Sequence, residues 1–449
     1  MVRKVPAPLP IMATSLAAVV TNDGFHPRPP LSLAAAGLTE TTVEQLILKI
    51  VYFRGEISGR DLSKTIALAF SLIEPIVEAF RRSQFIQVKR SLGMGSVSSV
   101  FALTEMGRKM ALEALANNQY AGAAPVTLET YTSAVEQQTL KSGWLTMDML
   151  REAYKHMIVT DDVFNNIGPA INSGKSLLIY GQPGNGKTYL AEALMNLNSA
   201  PIYVPYAIEY QGRIITVYDP VYHQRAIPED EELSVIFESQ FDHRWVACKR
   251  PFIVTGGELT MDMVDLTYNA ISRVYDAPFQ TKANNGIYLI DDFGRQRATP
   301  AEVLNRWIIP MEKRVDYLNF QTGGKIAVPF RTFLIFSTNL APHQLGDEAF
   351  LRRIEYKMLM RSPEITEFRK IFDGVCKAKR LECAPEVRDD FFERRYMTIK
   401  KPYRRCQPRD VLTHVADLIA FERLESVVTP ELLDHAFDSC FAQADMADS

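Results

Sequence analysis

Residues 181–188 read Gly-Gln-Pro-Gly-Asn-Gly-Lys-Thr, and the interpretation of the whole chain starts from this stretch. It follows a short apolar run, Ser176–Tyr180, and a helix-forming segment begins at Thr188. Glycines between a strand and a helix let the backbone curl so that its N–H groups point at a phosphate, as in the P-loop pattern. The stretch therefore predicts a phosphate-binding loop rather than a chance glycine-rich turn.

The side chains of this loop have separate expected roles. The lysine of a P-loop reaches the outer phosphates of a nucleotide, and the hydroxyl residue after it binds Mg²⁺. We therefore expect Lys187 to contact ATP and Thr188 to be a magnesium ligand. The residues predicted to bind the nucleotide here are Gly181, Gln182, Pro183, Gly184, Asn185, Gly186, Lys187, Thr188 and Tyr189.

Two later apolar runs also end in polar side chains. Asp291 and Asp292 follow the run 287–290, and Asn339 ends the run that begins at Thr332. Asp291 is expected to bind Mg²⁺, Asp292 to act as the base for the attacking water, and Asn339 to orient that water or touch the terminal phosphate. The alternative for each residue is a polar side chain that caps the turn after a strand.

The order of these elements resembles the AAA+ family of ring-forming ATPases over residues 160–449. The resemblance implies that residues 181–188 are Walker A, Asp291 and Asp292 are Walker B, and Asn339 is sensor 1. It implies a fold with an α/β P-loop NTPase core, in which helices sandwich a parallel sheet over residues 160–361, and a C-terminal helical lid over residues 362–449. ATP and Mg²⁺ are the implied cofactors, and a hexameric ring of identical subunits is the implied assembly.

The same resemblance assigns two arginine positions. The segment 347–354 is similar to the arginine-finger segment of the family, which implies that Arg352 or Arg353 reaches the ATP of a neighbouring subunit. The alternative is an ordinary exposed pair of arginines. Arg409, at the start of a helix, resembles sensor 2 on the lid, which implies that it contacts the γ-phosphate. The basic residues before it, Lys400, Lys401, Arg404 and Arg405, are interpreted as a solvated face.

The core also carries features of particular branches of the family. The segment 279–286 and a hairpin from Leu318 to Val328, turning at Gly323 and Gly324, resemble the MoxR-type and enhancer-binding-type branches. One departure is Asp292, because the family usually has glutamate there and aspartate is about 1.5 Å shorter. This departure leaves open how fast the site hydrolyses ATP.

The N-terminal part of the chain predicts a separate unit. Residues 1–40 are rich in Pro and Ala and are expected to be a disordered arm. Residues 41–118 contain three helical segments, a strand, a turn at residues 93–95, a second strand and a last helix. This order resembles a winged helix-turn-helix domain, and residues 119–159 are predicted to be a linker followed by helices.

Composition restricts the class of protein. The chain has 449 residues, of which 47% are hydrophobic, and its net charge of −3 argues against a surface that binds nucleic acid throughout. Its five cysteines form no Cys-x-x-Cys pair, which favours reduced thiols in a cytoplasmic protein. No apolar run reaches the roughly 18 residues that a membrane span needs.

Three functions remain open at this point. The first is a chaperone-like ATPase that remodels a protein partner, with residues 41–118 as an adaptor. The second is a winged-helix ATPase that acts on DNA; the basic footprint for it is thin, because Glu74 and Glu78 lie on the candidate recognition helix and basic residues only at its end. The third is a nucleotide-gated switch with little turnover.

Overall fold

The computed structural model describes residues 25–91, 93–197, 200–226, 241–346 and 351–441. The first part of the predicted arm, residues 1–24, and part of the predicted arginine-finger segment, residues 347–350, lie outside the described residues. In the described part of the chain, no helix is long and apolar enough to cross a membrane.

The N-terminal unit has the predicted order of helices and strands, with one short strand added. Its helices are α1 (Glu40–Arg54), α2 (Gly59–Ile66), α3 (Phe70–Arg82) and α4 (Glu105–Asn117). Its strands are β1 (Glu56–Ser58), β2 (Ile86–Ser91) and β3 (Ser99–Leu103), in the antiparallel order β1-β3-β2. The core is formed by fully buried apolar residues of the helices and of β3, among them Ile47, Ile73 and Phe101.

Residues 25–40 differ from the prediction of a disordered arm. The ring of Phe25 lies 4.9 Å from that of Trp245, and the carbonyl of Pro27 accepts a hydrogen bond from the amide of Asp242. Arg244, itself buried beside Asp242, donates to the carbonyl of Ala36. Aromatic contacts of this kind stabilise an ordered segment, and the richness in Pro and Ala gave no indication of them.

A five-stranded parallel sheet lies at the centre of the molecule, as predicted. Its order is β10-β13-β16-β5-β17. The strand before the phosphate loop, β5, therefore lies between β16, which ends next to Asn339, and β17. The strands are β5 (Ser176–Tyr180), β10 (Phe252–Thr255), β13 (Ile287–Ile290), β16 (Phe333–Thr338) and β17 (Tyr356–Leu359).

Helices cover both faces of this sheet. One face packs on α6 (Met147–Ala153), α7 (Asp161–Ser173) and α8 (Lys187–Glu192). The other face packs on α9 (Phe279–Lys282) and α10 (Pro300–Lys313), through Trp307. Burial on both faces explains why the strands are almost entirely apolar.

A second β unit lies beside the parallel sheet and was not predicted as a unit. Its largest sheet has the order β11-β12-β8-β7-β4, and two pairs of strands, β6-β9 and β14-β15, share its apolar core. The hairpin β14-β15 is the one predicted from Leu318 to Val328. The strands are β4 (Val126–Thr127), β6 (Ile202–Pro205), β7 (Ala207–Tyr210), β8 (Arg213–Thr216), β9 (Trp245–Cys248), β11 (Thr267–Asn269), β12 (Val274–Asp276), β14 (Val315–Asn319) and β15 (Lys325–Pro329).

The linker joins the N-terminal unit to this β unit by direct contacts. Strand β4 and helix α5 (Leu128–Gln137) both come from the predicted linker, and β4 pairs with β7. The amide of Gln119 donates to the carbonyl of Ser272, and the amide of Ala124 donates to that of Ile66. The N-terminal unit is therefore hydrogen-bonded to the rest of the chain rather than tethered by a free segment.

The C-terminal region is helical, as predicted. Aromatic rings pack in its apolar core, where Phe368, Phe392 and Tyr396 are fully buried. A short α11 (Pro342–Leu345) precedes β17, and one π-helical turn (Glu393–Met397) extends α13. The helices of the region are α12 (Ile365–Lys379), α13 (Pro385–Phe392), α14 (Gln407–Glu422) and α15 (Pro430–Cys440).

Candidate nucleotide-binding site

The predicted phosphate loop connects the end of β5 to the start of α8. Its three glycines have positive φ angles, 145° at Gly181, 78° at Gly184 and 83° at Gly186. Other residues adopt these conformations only with strain, because a Cβ atom would crowd the neighbouring carbonyl. At Gly181 a Cβ atom would also lie 2.4 Å from the carbonyl oxygen of Met360, so this glycine allows the loop to pack against the end of β17.

Lys187 lies under the loop and is almost fully buried, with 7% of its surface exposed. Its Nζ donates to the carbonyl oxygens of Gly181 (3.0 Å) and Gln182 (3.2 Å) and to Oδ1 of Asn339 (2.6 Å). Burial lowers the pKa of Lys187 below its ordinary value, and the carboxylates of Asp291 and Asp292 act in the opposite direction. A cation held in this way is positioned to exchange its carbonyl acceptors for phosphate oxygens.

Thr188 and Asp291 are in direct contact, as their predicted shared role requires. The hydroxyl Oγ1 of Thr188 donates to Oδ2 of Asp291 at 2.8 Å, although the residues are 103 positions apart. Gln296 donates to the carbonyl of Asp291 and fixes the turn after β13. The site thus presents a hydroxyl and a carboxylate oxygen side by side, which are hard oxygen donors of the kind that Mg²⁺ prefers.

Asp292 and Asn339 form the second contact across the strand ends. Nδ2 of Asn339 donates to Oδ1 of Asp292 at 2.8 Å, so the Asn339 amide connects this carboxylate to Lys187. Asp292 has φ +49°, a left-handed conformation that aspartate tolerates better than most residues. The amide of Phe293 donates to the carbonyl of Ser337 and holds this turn against β16.

The C-terminal helical region contributes a residue that the sequence analysis missed. Arg404 donates to the hydroxyl of Ser362 at 2.5 Å and lies 3.5 Å from Oε1 of Gln182 in the phosphate loop. Its charge is close enough to Lys187 to lower the pKa of that lysine further, after the effect of burial. Interpretation of residues 400–405 as a solvated face is therefore wrong for Arg404. It is also wrong for Arg405, whose side chain is 14% exposed and pairs with Glu367 at 3.1 Å.

Two further contacts hold the lid segment on the loop. The amide of Cys406 donates to the carbonyl of Gly184 at 2.9 Å, and Nδ2 of Asn185, which is fully buried, donates to Ser362. The residue type gives no signal for either contact. For Arg404 the sequence did contain a signal, namely its position. It lies three residues before Gln407, the predicted start of the helix, in the turn that faces the loop.

Arg409, predicted to contact the terminal phosphate, lies elsewhere. Its guanidinium pairs with Asp410 at 3.1 Å and its side chain is 71% exposed. Among the described contacts, none joins Arg409 to the phosphate loop. The predicted helix is present as α14, but the arginine that faces the loop precedes this helix rather than lying in its first turn.

The described contacts of the two candidate finger arginines do not include the phosphate loop of their own chain. Arg352 is exposed, and Arg353 lies 3.7 Å from Glu312 of α10. Of the remaining predicted residues, Gln182, Pro183 and Tyr189 are exposed.

Comparison with known proteins gives one family match and several structural similarities. Residues 364–439 match a domain of unknown function (DUF8689), and no curated protein sequence matches the chain. The structure of NtrX from Brucella abortus in complex with ADP has a TM-score of 0.41 and 12% identity, covering 73% of this chain and 65% of that one. A second NtrX structure has a TM-score of 0.40 and 13% identity, covering 66% and 58%.

The Holliday junction branch migration motor RuvB from Thermotoga maritima is also similar, with a TM-score of 0.37 and 13% identity over 65% of this chain and 73% of that one. The chain spans less than two thirds of the length of the NtrX chains that it matches. The family match lies within the C-terminal helices, α12 to α15, and its description assigns them no activity.

Proposed function

We propose that this chain binds ATP with Mg²⁺ and hydrolyses it to ADP and phosphate, as a member of the AAA+ ATPases. The observation that carries the proposal is one set of contacts at the carboxyl ends of three neighbouring strands. Lys187 contacts Asn339, Asn339 contacts Asp292, and Thr188 contacts Asp291. Ligands of parallel α/β sheets bind at this edge.

The residues present fit both ATP and its metal ion. The curled glycine loop and the buried Lys187 provide N–H groups and a cation for the phosphates, and Arg404 adds a second cation from the lid side. The oxygens of Thr188 and Asp291 would hold Mg²⁺, which neutralises charge on the phosphates when it is bound.

Asp292 is the residue we assign to proton transfer. Its carboxylate accepts a proton from the attacking water, the water oxygen bonds to the terminal phosphorus, and the bond from that phosphorus to the bridging oxygen of ADP breaks. Asn339 orients the carboxylate through its amide at 2.8 Å. Steady-state hydrolysis requires both residues, whereas nucleotide binding requires chiefly Lys187.

The test is ATP hydrolysis and ATP binding by the wild type, two variants of the site and one control variant. We expect wild type to hydrolyse ATP, Lys187→Ala to lose binding and hydrolysis, and Asp292→Asn to bind ATP while losing about 10²–10⁴-fold in rate. The exposed and distant Lys109→Ala serves as a control that should match wild type. A wild-type rate no higher than that of Lys187→Ala would refute the enzyme and favour a nucleotide-gated switch.

We further propose that the active unit is a ring, with hexamers as the expected size, in which Arg352 or Arg353 completes the site of a neighbour. The support is that Arg352 is exposed and outside the contacts of its own site. An arginine finger contributes about 10³–10⁵ in rate. Mixing Arg352→Ala with Asp292→Asn subunits should give a rate above either protein alone, because some interfaces then pair an intact base with an intact finger.

A hydrolysis rate of the mixture equal to the average of the two parent proteins would contradict a site shared between subunits. The same experiment with Arg353→Ala decides between the two arginines. Arg353 already lies near Glu312 of its own chain, so we expect the larger loss of rate from Arg352→Ala.

A protein client is the substrate we favour, with residues 41–118 as the docking module. On α3, Arg81 is paired with Glu78 at 2.7 Å, and Glu78 also accepts a hydrogen bond from Ser96 near the turn between β2 and β3. The carboxylate thus offsets a cation that DNA would need. The full chain should show no salt-sensitive binding to duplex DNA at low ionic strength; such binding, lost on Arg81→Ala, would favour the winged-helix DNA function instead.

A further inference from the structure

A cavity of about 610 Å³ lies at the amino-terminal edge of the parallel sheet, at the opposite end of the strands from the phosphate loop. The first residues of three strands, Phe252, Ile287 and Phe333, line it. Trp144 from the linker and Leu194 from the turn after α8 add apolar surface. A mostly apolar cavity of about 300–1,000 Å³ with a few polar groups is the usual form of a small-molecule site.

The charged side chains of this cavity all have one sign. Among its described lining residues none is acidic and five are basic: Lys175, Lys249, Arg250, Arg314 and Arg331. Carboxylates from outside the lining reach two of them, Glu355 at 2.6 Å from Lys175 and Glu136 at 2.7 Å from Arg331. Within the part of the chain that the structure describes, the other three form no ion pair.

Arg250 shows how incompletely these cations are compensated. Its two terminal nitrogens donate to the carbonyl oxygens of Asn285 (2.7 Å) and Gln138 (3.0 Å). Its Nε is buried and has no hydrogen-bond partner among the described residues. Burial without a carboxylate lowers the pKa of Arg250 to about 10, so the charged form is held at a cost that an anion would reduce.

Arg314 lies on the same cavity and is crowded by another cation. Burial lowers its pKa, the neighbouring Arg331 lowers it further, and Glu355 opposes both effects. Its backbone is also left-handed, with φ +58°, at the end of α10. The repulsion between these two arginines would be reduced further by a negative charge in the cavity, to which Glu355 and Glu136 contribute only from outside its lining.

We propose that this cavity is a second ligand site, separate from the nucleotide site, for a small organic molecule that carries at least two negative charges on an apolar or aromatic body. The charges would be bound by Lys249, Arg250 and Arg314, and the body by Trp144 and the apolar strand ends. Phosphate and carboxylate groups share the required chemistry, because both accept paired hydrogen bonds from guanidinium groups. A cavity of about 610 Å³ has room for a small aromatic molecule with two acidic groups.

The experiment uses the full chain with ADP and Mg²⁺ in excess, so that the phosphate loop is blocked. Naphthalene-1,5-disulfonate, an aromatic dianion, is titrated in a calorimeter at about 0.01 M ionic strength, where the Debye length is about 30 Å. We expect one molecule bound per chain and at least tenfold weaker binding in Lys249→Ala/Arg314→Asn. Asparagine is chosen because it tolerates a left-handed backbone.

Three controls keep the result decisive. Lys109→Ala removes an exposed lysine far from the cavity and should bind the disulfonate as wild type does. Should the double variant unfold, Lys249→Ala alone, which changes an exposed side chain, should weaken binding about threefold. Inorganic pyrophosphate, which has the charge but no apolar body, should bind at least tenfold more weakly than the disulfonate.

The proposal is overturned by absence of disulfonate binding, by equal affinity in the wild type and the Lys249→Ala variants, or by equal affinity for pyrophosphate. Displacement of the disulfonate by further ADP would also overturn it, because the two would then share one site. Failure of ATP hydrolysis leaves the proposal standing, since binding at the far edge of the sheet is measured directly.

Discussion

Substitution of Gly184 by alanine should loosen the lid segment from the phosphate loop. A Cβ atom at this position would lie 2.7 Å from Sγ of Cys406, whereas non-bonded carbon atoms pack at about 3.5–4.0 Å. With the Cys406 side chain held in its rotamer, the two segments separate by about 1 Å, which lengthens the 2.9 Å hydrogen bond from the Cys406 amide to the Gly184 carbonyl beyond the usual range. Loss of such a bond costs about 0.5–1.5 kcal/mol, or about 2- to 13-fold in the closed population.

Hydrogen exchange at the amide of Cys406 measures this population directly. The matched control is Gly186→Ala, because Gly186 has a similar φ of 83° but nothing lies within 4 Å of the added Cβ. Both variants carry the same strain of about 1–2 kcal/mol from a left-handed alanine, so only the contact with Cys406 differs. We expect about 2- to 13-fold faster exchange in Gly184→Ala than in Gly186→Ala.

A rescue variant makes the reasoning easy to refute. Cys406→Ala removes the sulfur atom, and the next atoms near the added Cβ belong to Arg404 at 3.5 Å, an ordinary contact distance. Gly184→Ala/Cys406→Ala should therefore regain most of the protection. If Gly184→Ala and Gly186→Ala exchange equally fast, or if Cys406→Ala restores nothing, the lid does not rest on the loop through this contact.

Two further predictions concern charged residues. Arg404→Ala should weaken ATP binding about tenfold in calorimetry, and Arg409→Ala should weaken it less than twofold, because of the two only Arg404 has a described contact with the loop. A larger loss from Arg409→Ala would show that Arg409 is the lid residue that binds ATP. Lys282→Met should lower the free energy of unfolding by about 2 kcal/mol at neutral pH, because Lys282 pairs with Asp219 (2.9 Å) and Asp276 (2.7 Å). The loss is smaller than for a fully buried pair, because Asp276 is half-exposed. Burial raises the pKa of Asp219, but hydrogen bonds from Lys282 and a backbone amide outweigh it and lower the pKa overall. Its stabilisation is thus present at neutral pH and lost as pH falls below about 4, so the difference in Tm between wild type and Lys282→Met should shrink from pH 7 to pH 3.

The positions of the side chains proposed for catalysis could be predicted from the sequence, because each one follows a local apolar run. An apolar run followed by Asp291, and another ending at Asn339, fixes these residues at the carboxyl ends of parallel strands. All carboxyl ends of a parallel sheet lie at one edge, so the side chains meet without any long-range information. The glycine spacing of the loop then supplies the third partner, Lys187.

The contacts made by the lid could not be predicted in the same way. The start of α14 was predicted correctly. Arg404 precedes this helix and Arg409 lies in its first turn, so the two side chains point in different directions, and the prediction named Arg409 instead of Arg404. Which of them faces the loop depends on how the C-terminal helices pack on the core, and residues 182 and 404 are 222 positions apart. The second β unit escaped prediction for a related reason, because its short strands pair over long separations in the chain. Val126 of β4 pairs with Ile208 of β7, and Ile215 of β8 pairs with Tyr275 of β12.

A left-handed backbone occurs both in the nucleotide site, at Asp292, and in the cavity at the opposite edge of the sheet, at Arg314, but it also occurs in ordinary turns. Ten non-glycine residues of the described chain have positive φ, and most of them end helices or form hairpin turns, as Gln211 does between β7 and β8. Asp292 and Arg314 are distinguished by their surroundings, because Asp292 is bound by Asn339 beside Lys187 and Arg314 lines a cavity whose charged side chains are all basic. The left-handed backbone of Asp292 directly follows β13, where the proposed reaction takes place. For Arg314 the described chain offers only Glu355 outside the cavity, and this imbalance is the physical reason to expect an anion there.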